Sequence, residues 1–339
     1  MTTSSSTIPF VIVDVFSSTP YKGNPLAIVD ATSHPDLTTT QMQLLARQFN
    51  LSETTFFFPP SSPENKASYK LRSFLPDGRE VFGVGHNILG VWWYLAHAGL
   101  LDLHSAVKDG DGWCLKQELG GTIGDVKITH REGRSFQVAI RQAPPLFHGF
   151  HPDAAALANS LGIAAEEIGF VSGDGGTRLT PQVMSTSTTH HLLIPVASVD
   201  ALNRVNARRE KILEQLALVD ERAYGAYVFT PVSGANGIPA FQARFFSPGM
   251  SGEDPATGSA AGPLSAYMYR HGGLNVDSEG KARTLVRQGL KAGRECVIEV
   301  VLSVNAEGHE NERLGVDIVG GGVTVSEGKT LIPNADLIF

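Results

Sequence analysis

Four side chains near two Gly-rich turns have types suited to proton transfer. Arg72-Ser-Phe-Leu-Pro76 runs into Asp77-Gly-Arg-Glu-Val-Phe-Gly-Val-Gly-His-Asn-Ile-Leu-Gly90, which carries His86. Arg244-Phe-Phe-Ser-Pro248 runs into Gly249-Met-Ser-Gly-Glu-Asp-Pro-Ala-Thr-Gly-Ser-Ala-Ala-Gly262, which carries Asp254 and Ser259. Glu53 precedes Phe56-Phe-Phe58. Burial among phenylalanines would raise its pKa toward the range useful to a general acid/base. His86, at the first turn of an apolar helix, is a candidate proton carrier or hydrogen-bond donor, or else a satisfied polar residue at a helix end. Asp254 before Pro255 also reads as a turn residue, and Ser259 as a cap. Together the set suits abstraction of a proton next to a carbonyl, or in a conjugated system, and its return elsewhere. It has neither a metal-ligand spacing nor a Ser-His-Asp relay.

Each turn also sets backbone N–H groups at a helix N-terminus. These are Gly85, His86 and Asn87 in one, and Thr257, Gly258 and Ser259 in the other. Helix N-termini attract anions through unpaired N–H groups and the helix dipole. Two such termini facing one cleft would hold a substrate carboxylate, with Gly85, Asn87, Thr257, Gly258 and Ser259 as binding residues.

Both turns need the same supports: a strand before and a buried helix after. Laid over each other at a spacing of 172 residues (72 to 244), Arg72 meets Arg244, Phe74 meets Phe246, Pro76 meets Pro248 and Gly90 meets Gly262. Phe10–Phe16, Leu26–Val29, Phe56–Phe58 and Ala67–Leu75 read as strands. Gln41–Phe49 reads as a helix capped from Thr38–Thr40, with apolar residues at 42, 45, 46 and 49. Asn87–His97 is apolar on all sides, as a helix wrapped by protein is, and Gly99 suits its C′ position. Short strands follow from Trp113 to Ile140. Pro144-Pro145 suggests a domain crossing near 141–150.

The second half predicts a helix over Pro152–Leu161, a strand over Thr188–Pro195 and one helix over Val199–Leu218. Strands follow at Ala223–Phe229 and Phe241–Phe246, then a small apolar helix over Ser259–Arg270. The remaining strands are Thr284–Gln288, Cys296–Leu302, Gly315–Val319 and Val323–Ser326. This order is an α+β duplication rather than regular βαβ alternation. It sets a first domain at 1–140, with 328–339 as candidates to return to it, and a second at 141–327, with the active site between them.

Composition narrows the function. The 339 residues carry a formal net charge of −7 without a basic run, which disfavours a nucleic-acid surface. Gly83-Val-Gly85 lacks the third glycine of a dinucleotide fingerprint, since Ile88 stands there. Gly173–Gly176 and Gly320–Gly322 lack the Walker pattern. The two cysteines, Cys114 and Cys296, fit neither a disulfide framework nor a structural zinc site, and suit a reducing compartment. Met1–Thr7 is polar without Lys or Arg, and the apolar run Ile88–Leu101 is short and interrupted by His97. The expectation is a soluble cytoplasmic protein with no membrane or nucleic-acid partner.

Val13-Asp-Val-Phe16, Gly23-Asn-Pro-Leu-Ala27, Ser52-Glu53-Thr54, Gly85-His86, Glu253-Asp-Pro-Ala-Thr-Gly-Ser-Ala-Ala261, Gln288-Gly289 and Gly293-Arg294 resemble the PhzF-like (phenazine-biosynthesis isomerase) family over roughly residues 10 to 330. The resemblance implies a diaminopimelate-epimerase-like fold: two pseudo-symmetric domains, each a barrel-like sheet around one central helix. It implies that Glu53 shuttles the proton, that His86, Asp254 and Ser259 line the substrate site, that no cofactor or metal takes part, and that the chain forms a homodimer. The best-known activity of the family is isomerisation of a dihydro-hydroxyanthranilate. Epimerases of this fold use two cysteines at the places of Gly85 and Thr257, so a two-thiol racemase is disfavoured here. Phe82-Gly83-Val84 and Asn87 depart from the family pattern, and Pro263 should distort its helical turn. These departures border the proposed cleft and point to a different substrate.

The expected function is therefore a cofactor-independent isomerase acting on a small, cyclic or aromatic-precursor carboxylic acid. The alternatives are a lyase or tautomerase using the same base, and a non-catalytic small-molecule-binding protein.

Overall fold

The computed structural model describes residues 6–83, 85–130, 136–173, 176–186, 189–247, 252–305 and 313–339. Met1–Ser5, Val84, Gly133, Asp174, Gly175, Thr188 and Pro248–Ser251, on which parts of the sequence reading fall, lie outside them. The chain divides into two compact units, Met1–Ile140 with Gly320–Phe339, and Arg141–Val319.

The first unit contains β1 (Thr7–Val15), β2 (Asn24–Asp30), α1 (Thr39–Phe49), β3 (Glu53–Phe58), β4 (Tyr69–Phe74), β5 (Glu80–Val81), α2 (His86–His97), β6 (Val107–Asp109), β7 (Gly112–Leu119), β8 (Thr122–His130) and β9 (Phe136–Arg141). The strands pair in the order β1-β2-β3-β4-β7-β8-β9. The β2–β3 and β4–β7 pairs are parallel and the others antiparallel. The sheet wraps α2, which packs on β1, β2, β3 and β8. Ten of the helix residues are buried, Trp92 and Trp93 among them. Burying each such ring stabilises the fold by roughly 2–3 kcal/mol. Trp92 also donates its indole N–H to Gln117 Oε1 at 2.7 Å. On the other face of the sheet α1 packs its Met42, Leu45 and Ala46 against Phe56, Phe58 and Phe74. Thr38 caps α1 through a capping box with Gln41.

The second unit repeats this plan. It contains β10 (Leu146–Phe150), α3 (Ala154–Leu161), β11 (Gln182–Thr186), β12 (Thr189–Pro195), α4 (Val199–Arg204), α5 (Arg209–Val219), β13 (Ala223–Val232), β14 (Ala240–Phe246), β15 (Glu253–Asp254), α6 (Gly258–Arg270), β16 (Lys281–Gln288), β17 (Cys296–Val304) and β18 (Leu314–Gly320). The order β11-β12-β13-β14-β16-β17-β18 matches the first unit strand for strand, with β12–β13 and β14–β16 parallel. The buried helix α6 packs on β11, β12 and β17. Both buried helices begin at the same place in the repeat, His86 and Gly258. Each places a glycine five residues in where a neighbour presses close. A Cβ on Gly90 would lie 2.6 Å from Val15 Cγ2, and one on Gly262 2.0 Å from Gln142 Oε1.

Two elements differ from those expected. The last strand, Gly322–Leu331, pairs along all of β1 from Val15 to Thr7. The return to the first unit therefore starts at Gly320 rather than 328, and this strand stands to β1 as β10 stands to β11. The single helix expected over Val199–Leu218 is two, because Arg244 Nη1 donates to the carbonyls of Leu202 and Val205 at 2.8 Å. The backbone there leaves the helical path, and Asn206 and Arg208 donate their N–H groups to Leu161 and Ser160. The helix expected over Ser259–Arg270 is present as α6, with Pro263 inside it.

Candidate active site

In the first unit the pairing of β2 with β3 sets Glu53 opposite Leu26, at the first position of its strand. His86 opens α2. These positions bring Glu53 Oε2 and His86 Nε2 to 3.4 Å. The Glu53 side chain keeps partial solvent access, but its Oε2 is buried, as is the imidazole. Burial pushes the His86 pKa down to about 4. The positive end of α2 adds to the effect, since it disfavours a second positive charge. His86 is thus neutral near pH 7, and the contact is a carboxyl beside a neutral imidazole rather than an ion pair. The first intrahelical bond runs from Leu89 N–H to Gly85 O, so the N–H groups of His86, Asn87 and Ile88 precede the helical ladder.

Asn87 is turned inward. Its Oδ1 accepts from Gly85 N at 3.2 Å, and its Nδ2 donates to Ser73 Oγ at 3.1 Å. Ser73 Oγ in turn shares a 2.7 Å hydrogen bond with Thr55 Oγ1. Asn87 therefore fixes Gly85 and the helix start from within.

In the second unit Asp254 and Thr257 are joined. Thr257 Oγ1 donates to Asp254 Oδ2 at 2.7 Å. Gln288 braces this turn with both ends of its amide. Its Nε2 donates to Asp254 O at 2.7 Å and Thr257 Oγ1 at 2.9 Å. Its Oε1 accepts from Tyr227 OH and Thr257 N at 3.0 and 3.2 Å. Thr257 is the N-cap of α6 without a side-chain cap bond, and the bonds to its carbonyl come from Ala260 and Ala261. The N–H groups of Gly258 and Ser259 precede that ladder. Ser259 does not cap the helix. Its hydroxyl lies 3.0 Å from Nε2 of His191, a fully buried residue on β12.

Two of these residues escaped the sequence reading. Gln288 stood out as part of a motif without a role, and its four hydrogen bonds supply one. His191 sits in the run Thr-His-His-Leu-Leu-Ile-Pro, which shows only a strand. A signal was present in the repeat. The spacing that maps Phe74 onto Phe246 maps Glu53 onto Gly225, and His191 is the register partner of Gly225 as Leu26 is of Glu53.

Among the described residues no group of three or more His, Cys, Asp or Glu side chains could hold a metal ion. No helix among them is long and apolar enough to cross a membrane.

Fold and sites define a class. The chain is an α+β protein of two similar halves, each wrapped on a buried helix whose N-terminus carries acid/base groups. Residues 13–328 match the family model for phenazine biosynthesis-like proteins, so the chain belongs to that family. It is 30% identical over 327 residues to an uncharacterized isomerase, mll1393, of Mesorhizobium japonicum, covering 95% of this chain and 98% of that protein. It is 29% identical over 326 residues to the trans-2,3-dihydro-3-hydroxyanthranilate isomerase of Pseudomonas fluorescens, covering 95% and 99%. A solved phenazine biosynthesis protein of the PhzF family from Bacillus anthracis superposes with a TM-score of 0.78 at 26% identity, over 96% of this chain and 100% of that one. A hydroxyproline epimerase from Agrobacterium vitis, 12% identical, has a TM-score of 0.57 over 96% and 91% and shares the fold alone. The family and these relatives make the chain an isomerase.

Proposed function

We propose that this isomerase moves a proton within a small cyclic or aromatic-precursor carboxylic acid, with Glu53 as the general acid/base. The observation that carries the reading is the Glu53–His86 pair, 3.4 Å apart at the head of a buried helix. As a carboxylate Glu53 can take a proton from carbon, its negative charge passing into the conjugated substrate, and as the carboxylic acid so formed it can return that proton elsewhere. Neutral His86 would use its single N–H to donate a hydrogen bond to negative charge developing on the substrate.

The name of the Pseudomonas relative supports a ring acid as substrate class. Asp254, Thr257, Gly258 and Ser259 are proposed as substrate-binding groups, with Asp254 also able to accept a proton. Gly85 contributes the backbone of the first turn, and Asn87 supports it. We also propose that the chemistry needs no cofactor, since the acid/base groups are the chain's own.

The test is turnover of trans-2,3-dihydro-3-hydroxyanthranilate, or of another cyclic carboxylic acid found by screening, in deuterated water. A product of equal mass, apart from exchanged deuterium, is expected after exhaustive dialysis against chelator. A product lighter by a lost fragment would make the enzyme a lyase instead.

A further inference from the structure

In the second unit His191 lies on the strand beside the position that corresponds to Glu53. Through the repeat, Glu53 corresponds to Gly225 and Ser73 to Phe245. The two exchanges are complementary. A Cβ on Gly225 would lie 2.2 Å from Phe245 Cζ, so the phenylalanine fills the space a side chain at 225 would need. That same Cβ would also lie 3.2 Å from His191 Nδ1. The imidazole of the neighbouring strand thus lies against the bare backbone of the position that in the first unit bears the carboxyl. Each half brings an ionisable side chain from its sheet to the start of its buried helix: Glu53 meets His86, and His191 meets Ser259.

The surroundings of His191 decide what it does there. The ring is fully buried and packed edge-on by Tyr224 and Phe245, with centroids at 4.9 and 5.1 Å. Nε2 has Ser259 Oγ at 3.0 Å. Nδ1 has no hydrogen-bond partner among the described residues. Burial, with the neighbouring His190, holds the pKa down to about 3, so the ring carries one proton between its two nitrogens. A proton on Nδ1 would be a buried donor facing Gly225 and aromatic carbon. A proton on Nε2 has an acceptor waiting.

We propose that His191 is a positioning residue: its Nε2–H holds the Ser259 oxygen, so that the hydroxyl proton is left to donate to an anionic group of the substrate. This inference rests on the proposed function, in which Ser259 contacts the substrate carboxylate. It turns the serine into a dedicated donor rather than a nucleophile, because the imidazole supplies a proton to the oxygen and does not remove one. Ser259 is partly exposed and lies within the first turn of α6, where the N–H groups of Gly258 and Ser259 also favour an anion.

The deciding experiment uses the full-length chain with nitrogen-15-labelled histidine. The expected spectrum shows His191 as a neutral ring protonated at Nε2 down to pH 5. Protonation at Nδ1 with a bare Nε2 would overturn the inference whether or not any substrate is known.

Kinetics with trans-2,3-dihydro-3-hydroxyanthranilate give the second arm. His191→Leu and Ser259→Ala should each lower kcat/KM by roughly 10- to 100-fold, mostly through KM, as for loss of a hydrogen bond to a charged group. The double variant should be no worse than either alone. His191→Gln, whose amide N–H can replace Nε2–H, should recover most of the loss and guards against a folding defect in the leucine variant. Effects of His191→Leu and Ser259→Ala that multiply would sink the inference alone. Full activity in Glu53→Gln would instead remove the functional reading and leave the tautomer measurement to stand by itself.

Discussion

Arg72 and Arg244 hold the same post in the two halves of the chain. Each lies over the phenylalanine two residues on, Phe74 at 5.1 Å and Phe246 at 4.9 Å from the ring centroid. Each forms a two-pronged hydrogen-bonded ion pair with a glutamate on the short strand that follows, Glu80 or Glu253. This clamp ties down the start of each Gly-rich stretch, from which the groups at the helix N-termini are hung.

The two clamps should differ in strength. Arg244 is nearly buried and also satisfies two backbone carbonyls, whereas Arg72 and Glu80 keep about a quarter of their side-chain surface in water. Arg244→Ala strands Glu253 and both carbonyls, and should cost about 3–5 kcal/mol. Arg72→Ala should cost only ~1 kcal/mol, because water screens that pair. Urea denaturation of the two variants measures the difference, and equal losses would contradict it.

Gly225 should not tolerate a side chain. Gly225→Ala forces Phe245 or His191 to move and should destabilise by about 1–3 kcal/mol, the usual cost of overpacking. Activity should fall with it, through the displaced contact of His191 with Ser259. A variant as stable and active as the parent would show that this wall gives way easily.

Gln288→Leu should cost about 2–4 kcal/mol, since it leaves Thr257 N, Tyr227 OH and Asp254 O without their partner. Gln288→Glu keeps the acceptor but not the donor, and should lie between. Thermal unfolding ranks the three proteins, and a leucine variant matching the parent would refute the brace.

Acid should destabilise the fold before it protonates the buried imidazoles. Burial holds His86 at about 4 and His191 at about 3, against 6.5 for an unfolded chain. As pH falls from 6.5 toward 4, the unfolded state binds protons that the folded state refuses, so stability drops. The His86 share, on the order of 2 kcal/mol between pH 6.5 and 4.5, should vanish in His86→Gln. Parallel stability curves for parent and variant would argue against a neutral His86.

Much of this architecture was legible in the chain. A repeat of strand, Gly-rich turn and apolar helix needs no partner beyond itself, and Arg72/Arg244 and Gly90/Gly262 mark it at one spacing. Thr38 and Gly99 marked helix ends, because caps are local chemistry. The break between α4 and α5 was not legible, since it depends on Arg244, some forty residues away in sequence. His191 was hidden for the same reason. Its meaning comes from register, which sets it beside Gly225 and leaves its side chain to meet Ser259 on another element. Asn87 was read from its backbone N–H at a helix start, and the bonds of its side-chain amide to Gly85 and Ser73, which depend on the fold, were not legible.

The role of Glu53 is tested most directly by the turnover number of Glu53→Gln with trans-2,3-dihydro-3-hydroxyanthranilate, or with the cyclic acid that screening identifies. Loss of a general acid/base should lower kcat by roughly 100- to 10,000-fold while KM changes little. A Glu53→Gln enzyme that turns over at the parent rate would contradict the account.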